Sequence, residues 1–183
     1  MKFTETKLKS AFIIDLELKQ DHRGFFARTF CTKEFEAHNL KSTVAQCNLS
    51  FNYKQGTIRG MHYQIFPATE AKLIRCTKGA IYDVIVDLRP DSPTYLQHIG
   101  VELTAENRCA LYVPEMFAHG YQVLTDKTEV IYQVSEYYTP NRERGLRYDD
   151  PSLGINWPLP VSEISQKDNN WPLLGTREVI QLR

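Results

Sequence analysis

The sequence predicts an all-β domain with little helix, and three observations carry that prediction. Nine glycines and nine prolines break the 183 residues into short runs rich in tyrosine, phenylalanine and β-branched residues. Several runs alternate in polarity with period two, the pattern of a half-buried strand. They recur at the strand-and-turn spacing of a sandwich or barrel, and the length suits one domain with a sizeable core.

Ala11 to Leu18 reads as a strand, and Asp21-His22-Arg23-Gly24 as a turn into a second strand, Phe25 to Phe30, whose three phenylalanines read as packing residues. Thr32 is placed to cap a short helix through His38, with Asn39 as its stop. Val44 to Phe51 holds Gln46, Asn48 and Ser50 at strict period two, so their side chains share a face. Polar alternation of this kind is the ordinary exterior of a half-buried strand.

In Ile58 to Gln64 a regular pleat sends Arg59 and His62 to opposite faces, but Gly60 lies between them. A bulge there turns both side chains toward one pocket. The strand Ala71 to Cys76 then places Lys72 beside Ile74 and Cys76. Thr77 to Ala80 reads as a hairpin turn, followed by a long β-branched strand, Ile81 to Leu88. Ile99 to Leu103, Cys109 to Val113, His119 to Leu124 and Val130 to Val134 continue the series. In the last, Tyr132 shares an interior face with Val130 and Val134, while Glu129 and Gln133 point out. From Tyr138 onward strand signals fade and five prolines mark a loop-rich tail, with Leu159, Val161, Ile164, Trp171 and Leu173 to dock it.

Basic and acidic residues balance at 22 each, which gives no support to a nucleic-acid or membrane field. No CxxC pair occurs among Cys31, Cys47, Cys76 and Cys109. Lys2, Glu5, Lys7 and Lys9 interrupt any signal-like run, and no segment has the length of a membrane span. The reading is a cytoplasmic protein with reduced thiols.

Arg59, His62 and Lys72 give the first evidence of a site, because cationic groups facing a barrel interior call for an anionic partner. His62 has no histidine neighbour at metal-ligand spacing, and His119 is isolated, so no metal is expected. GxSxG, GxxxxGK and GxGxxG are all missing. What remains is acid–base chemistry: a histidine base, a tyrosine acid, and lysine and arginine to hold negative charge. From the residues alone the chain is a β-barrel enzyme, or a binder, of an anionic small molecule.

A set of motifs narrows this. In order they are Arg23-Gly24-Phe25-Phe26, Gln46-x-Asn48-x-Ser50, Arg59-Gly60-Met61-His62-Tyr63-Gln64, Lys72-Leu73-Ile74-Arg75, Asp83-Val84 with Asp87-Leu88-Arg89, Phe117-Ala118-His119-Gly120 and Ser165-x-Lys167-Asp168. Together they closely resemble the dTDP-4-dehydrorhamnose 3,5-epimerases of bacterial deoxysugar synthesis, from about the first strand through Leu174. The resemblance implies one cupin-type jelly roll over residues 1–183, with a few short helices, and a homodimer that needs no cofactor. Strands within residues 1–30 would cross to the partner, and the tail, 139–183, would cover the site.

The implied reaction inverts carbons 3 and 5 of a 4-keto-6-deoxyhexose carried on a nucleoside diphosphate. By motif position, His62 would be the base, Asp168 its orienting carboxylate, Tyr132 the acid and Lys72 the stabiliser of the enolate oxygen. His119 would line the sugar pocket. Arg23 and Arg59 would hold the diphosphate, with Gln46 and Asn48 as neutral donors and Lys167 beside them in the binding set. Phe26 and Tyr138 would stack on the base. Arg28 stands where this family usually has a glutamate; a guanidinium is donor-only and would suit cytosine N3, which leaves a CDP-linked substrate open. Glu70 replaces a frequent glutamine, and Asn52 and Met116 also depart from the pattern. Epimerisation at one carbon, a ketoisomerase and a non-catalytic nucleotide-sugar-binding cupin remain the alternatives.

Overall fold

The computed structural model describes residues 1–176. Residues 177–183, the end of the expected tail, lie outside the described residues. Among the described residues, fourteen strands form two large, mainly antiparallel sheets and a small hairpin. β1 (Lys2–Glu5), β2 (Phe12–Asp15), β10 (Ala110–Val113), β7 (Lys72–Lys78), β12 (Thr128–Val134) and β5 (Gln46–Asn52) lie in that spatial order in the first sheet. The second runs β13 (Glu143–Gly145), β6 (Thr57–Gln64), β11 (Phe117–Val123), β8 (Ala80–Asp87), β9 (His98–Thr104). The short β14 (Glu163–Ile164) pairs with β6 in parallel, and β3 (Lys19–Asp21) with β4 (Gly24–Phe26) make the separate hairpin. This is the jelly-roll sandwich that the strand spacing and motifs predicted.

Period-two alternation places the packing. One face of β7, β10 and β12 sends Ile74, Cys76, Leu111, Val113 and Val130 inward to meet Ile81, Ile85, Phe117 and Val123 of the second sheet. Each fully buried side chain of this kind contributes about 1.5–3 kcal/mol. The outer face of the first sheet is covered over β2, β10 and β7 by α1 (Thr32–Ala37), whose buried Phe35 packs with Ile14, Leu73 and Ala110. The tail covers the outer face of the second, where Leu146 and Leu153 join Met61, Val84 and Val86.

Several expectations need correction. The predicted strand from Ala11 forms only over Phe12–Asp15, and that from Phe25 ends at Phe26. Phe25 and Phe26 are exposed, so of the three phenylalanines only Phe30 packs against α1. Cys31, without a side-chain bond, occupies the helix N-cap instead of Thr32. Asn39 does end the helix, in the left-handed conformation at φ 57°. The turn at Gly79 joins no hairpin: β7 pairs with β10 and β12, β8 with β9 and β11, and the chain crosses there between sheets. Of the tail residues expected to dock, Ile164 lies beside β6 and Trp171 against Gly145, while Val161 stays exposed and Leu146, Leu153, Ile155 and Trp157 supply further contacts.

Candidate active site

Between the sheets, beside the apolar core, lies a cavity of about 510 Å³. Arg59, His62, Lys72, His119, Tyr132, Lys167 and Asp168 all line it. β6 and β11 set the first of these. His62 lies opposite His119 and Arg59 opposite Tyr121, so Gly60 and Met61 together face the single residue Gly120. This is the bulge expected at Gly60, and it brings Arg59 and His62 to one cavity. Gly60 has φ +117°, and a Cβ there would lie 2.6 Å from Gly120 Cα, so no larger residue fits.

His62 is held by the tail. Its Nε2 lies 2.6 Å from Asp168 Oδ1, and the N–H of Gly60 donates to Asp168 Oδ2 at 3.1 Å. Asp168 sits on α2 (Gln166–Asn169), capped by the Ser165 hydroxyl, which accepts the Asp168 N–H at 3.0 Å. Burial would raise the Asp168 carboxyl, but the hydrogen bond and charge of His62, with the Gly60 and Ser165 bonds, outweigh it and hold the group below the usual range. With Nε2–H given to Asp168, Nδ1 is the ring nitrogen with a free lone pair.

A second pair stands across from the first: His119 Nε2 lies 2.6 Å from Oδ1 of the fully buried Asp83, whose Oδ2 has no partner. On the first sheet, Lys72 is 8% exposed, with its Nζ 3.0 Å from Glu70 Oε1 and 3.4 Å from the His62 carbonyl. Tyr132, in register with Asn48 and Ile74, enters from the same sheet. Burial pushes its phenol up, Glu70 adds to the rise, and Arg59 opposes it. Arg59 is exposed at the mouth, where its Nε donates to Asn52 Oδ1 at 2.7 Å.

Gln46, Asn48 and Ser50 share a face, as expected, but that face points inward, with Ser50 lining the cavity. Leu49 and Phe51 point outward, so the stripe is not an ordinary solvated exterior. Gln46 and Asn48 do not themselves line the cavity; Gln46 Oε1 accepts the Tyr138 N–H at 3.0 Å. Tyr138 does not line it either, and its hydroxyl donates to Glu143 Oε2 at 2.8 Å. Lys167 reaches the same oxygen at 2.5 Å. Arg23 lies on the β3–β4 turn, paired with Asp21, and Phe26 and Arg28 line a separate cleft of about 180 Å³. Within one chain these three are apart from the cavity.

Sequence reasoning gave no role to Asp83 or Glu143. Asp83 carried a signal, since in the strand IYDVIVD it shares a face with Ile81 and Ile85, where an unpaired carboxylate is costly. Glu143 carried none, because its neighbour Gln64 is brought to it by β13 pairing with β6. Among the described residues no group of three or more His, Cys, Asp or Glu could hold a metal ion.

A jelly roll whose interior sets a histidine on one sheet, paired with an aspartate from the tail, and a tyrosine and lysine on the other has the make-up of a cupin-type proton-transfer enzyme. The family model for dTDP-4-dehydrorhamnose 3,5-epimerase matches residues 5–176. An enzyme of that name from Shigella flexneri is 40% identical over 171 residues, covering 93% of this chain and 94% of its own. The crystal structure of a Bacillus anthracis dTDP-4-dehydrorhamnose 3,5-epimerase with TDP and PPi bound superposes with a TM-score of 0.91 at 42% identity, over 94% of this chain and 99% of that one. A Legionella pneumophila dTDP-6-deoxy-D-glucose-3,5-epimerase in complex with dTDP-4-keto-L-rhamnose gives 0.90 at 36% identity, over 97% and 94%. The chain belongs to the dTDP-4-dehydrorhamnose 3,5-epimerase family, and is an isomerase of the epimerase class.

Proposed function

We propose that the protein inverts C3 and C5 of dTDP-4-dehydro-6-deoxy-D-glucose to give dTDP-4-dehydro-L-rhamnose, by proton transfer through an enolate. The observation that carries this reading is the placement of two groups: His62 on one sheet, held by Asp168 from the tail, Tyr132 on the other, and the cavity between. Inversion requires that pattern, since the proton leaves one face of the sugar ring and returns to the opposite one. His62 Nδ1 takes the proton beside the C4 ketone, and Asp168 stabilises the imidazolium that forms. The Lys72 ammonium holds the developing oxyanion. Tyr132, its phenol raised by burial, gives the proton back. His119, oriented by Asp83, lines the sugar pocket, and Arg59 with Lys167 binds the diphosphate.

The working unit in this reading is a homodimer in the cytoplasm. Leu49, Phe51 and Ile131 leave an apolar outer face on β5 and β12, which a second copy would cover. The β3–β4 hairpin, with Arg23, Phe26 and Arg28, lies apart from its own chain's cavity and would serve the partner's, with Tyr138 as a second stacking surface and Gln46 and Asn48 as neutral donors. Arg28 is engaged by Glu34 at 3.2 Å, which leaves it less free to read a base and favours the dTDP substrate over a CDP-linked one.

The test is incubation in deuterium oxide with dTDP- and CDP-linked 4-keto-6-deoxyglucose in separate tubes, read at C3 and C5 by NMR and mass. Label at both carbons with the dTDP sugar is the expected result, and label at one makes the enzyme a mono-epimerase. No label with either sugar transfers the case to a binding protein. His62→Ala should abolish exchange at both carbons, whereas Tyr132→Phe should retain exchange and lose inversion. Wild-type exchange in His62→Ala would remove His62 as the base.

A further inference from the structure

Glu70 holds a position that the reaction above leaves unused. It lies two residues before the start of β7, and beside it the Ala71 N–H donates to Ser135 Oγ at 2.8 Å and the Ser135 N–H to the Ala71 carbonyl at 3.0 Å. The segment is therefore fastened to the end of β12. Two residues on, Lys72 lies in register with Val134, which puts it diagonal to Tyr132 on the cavity face. The Glu70 and Lys72 side chains are only 12% and 9% exposed, and their charged atoms meet at 3.0 Å. A carboxylate in so little water acts on the nearby phenol far more strongly than a surface charge does.

We propose that Glu70 is a positioning residue, whose carboxylate aims the Lys72 ammonium into the cavity and keeps the Tyr132 phenol in its proton-donating form. The proposal rests on the acid role given to Tyr132 above. A phenol that must deliver a proton gains from a neighbouring negative charge, because ionisation then sets two like charges close together. The charged and titratable groups that line the cavity with Tyr132 are Lys72 on β7, with Glu70 beside it, Arg59 and His62 on β6, His119 and Tyr121 on β11, and Glu163, Lys167 and Asp168 from the tail. Of these, Glu70 raises the phenol and Arg59 lowers it. With Glu70 neutralised, the lowering effect of Arg59 on the phenol is no longer opposed by that carboxylate.

The experiment compares wild type, Glu70→Gln and Glu70→Asp. Deuterium wash-in and inversion are measured on the same samples from neutral to alkaline pH. Wash-in reports the base and inversion the acid, so their ratio follows Tyr132 alone and is self-normalised. In Glu70→Gln the pH at which inversion falls behind wash-in should drop by about half to one unit. Glu70→Asp, which keeps the charge, should stay close to wild type. A merely structural ion pair would lower both rates together and leave the crossover where it was. In parallel, phenolate absorbance is titrated in wild type and Glu70→Gln, each against the same protein with Tyr132→Phe. That titration needs no substrate, so it still decides the role of Glu70 if the dTDP sugar proves not to be turned over. Coincident crossovers and coincident Tyr132 titrations in wild type and Glu70→Gln would overturn the proposal.

Discussion

At the scale of single residues, the chemistry depends on which state each group is held in. Asp168 is kept ionised by His62, Gly60 and Ser165, and its oxygens fix both the imidazole and the bulge beside it. Asp168→Asn keeps the shape but replaces an acceptor-only group with one that can donate, which favours the wrong tautomer of His62. The expected result is a fall in kcat of about 10²–10⁴-fold with a small change in KM, measured by steady-state kinetics. A variant with wild-type kcat would show that the pair is structural. Legibility at this scale was uneven. His62, Lys72 and Tyr132 stand out as polar groups on strands that otherwise read as buried. Asp168 was placed only by motif resemblance, because its contact with His62 spans 106 positions and no local period reports such a contact.

At the scale of elements, the β6 bulge is the device on which the cavity depends. Without the extra residue, Arg59 and His62 would point to opposite faces of the second sheet. Glycine in a strand interior announces such a place, and this part of the site was readable in advance. Gly60→Ala adds a methyl group where φ is +117° and the nearest atom, Gly120 Cα, would be 2.6 Å away. Strain and overpacking together should cost about 2–5 kcal/mol, seen as a lower urea midpoint with unchanged m-value. An unchanged midpoint would mean that the bulge relaxes elsewhere. The stripe on β5 shows where local reading stops. Period two correctly placed Gln46, Asn48 and Ser50 on one face, yet it carries no sign of which face is inner. That is settled by β12, which pairs with β5 and carries Tyr132 opposite Asn48. The turn at Gly79 failed as a hairpin for a similar reason, since both strands find partners far along the chain.

At the scale of the whole molecule, two features connect parts that the sequence keeps apart. The first is the apolar outer face at Leu49, 62% exposed, and Ile131, 40% exposed, on neighbouring strands. If a second copy covers it, Leu49→Lys should shift sedimentation toward the monomer and reduce turnover, because Arg23 would then be lost from the partner's site. A dimer that survives this change would place the interface elsewhere. The second feature is the knot at Asp87, fully buried at the end of β8. Arg89 Nη2, at 2.7 Å from Asp87 Oδ2, also donates to the Lys9 carbonyl at 2.9 Å, so this pair ties the second sheet to the loop between β1 and β2 of the first. The Ser92 and Thr94 hydroxyls donate to the same carboxylate. Burial alone would push Asp87 up, but Arg89 and these hydroxyls overcome it and hold the carboxyl down at about 2, against 3.8 when unfolded. A depressed folded pKa makes a contribution that is complete above the unfolded value and lost as pH falls toward the folded one. The knot should therefore supply about 2 kcal/mol at neutral pH and lose it between about pH 4 and pH 2. Urea titrations at a series of pH values check this directly. Wild type should lose stability across that window, and Asp87→Asn, already destabilised at neutral pH, should show a shallower decline; parallel curves for the two proteins would mean that Asp87 does not carry the acid sensitivity.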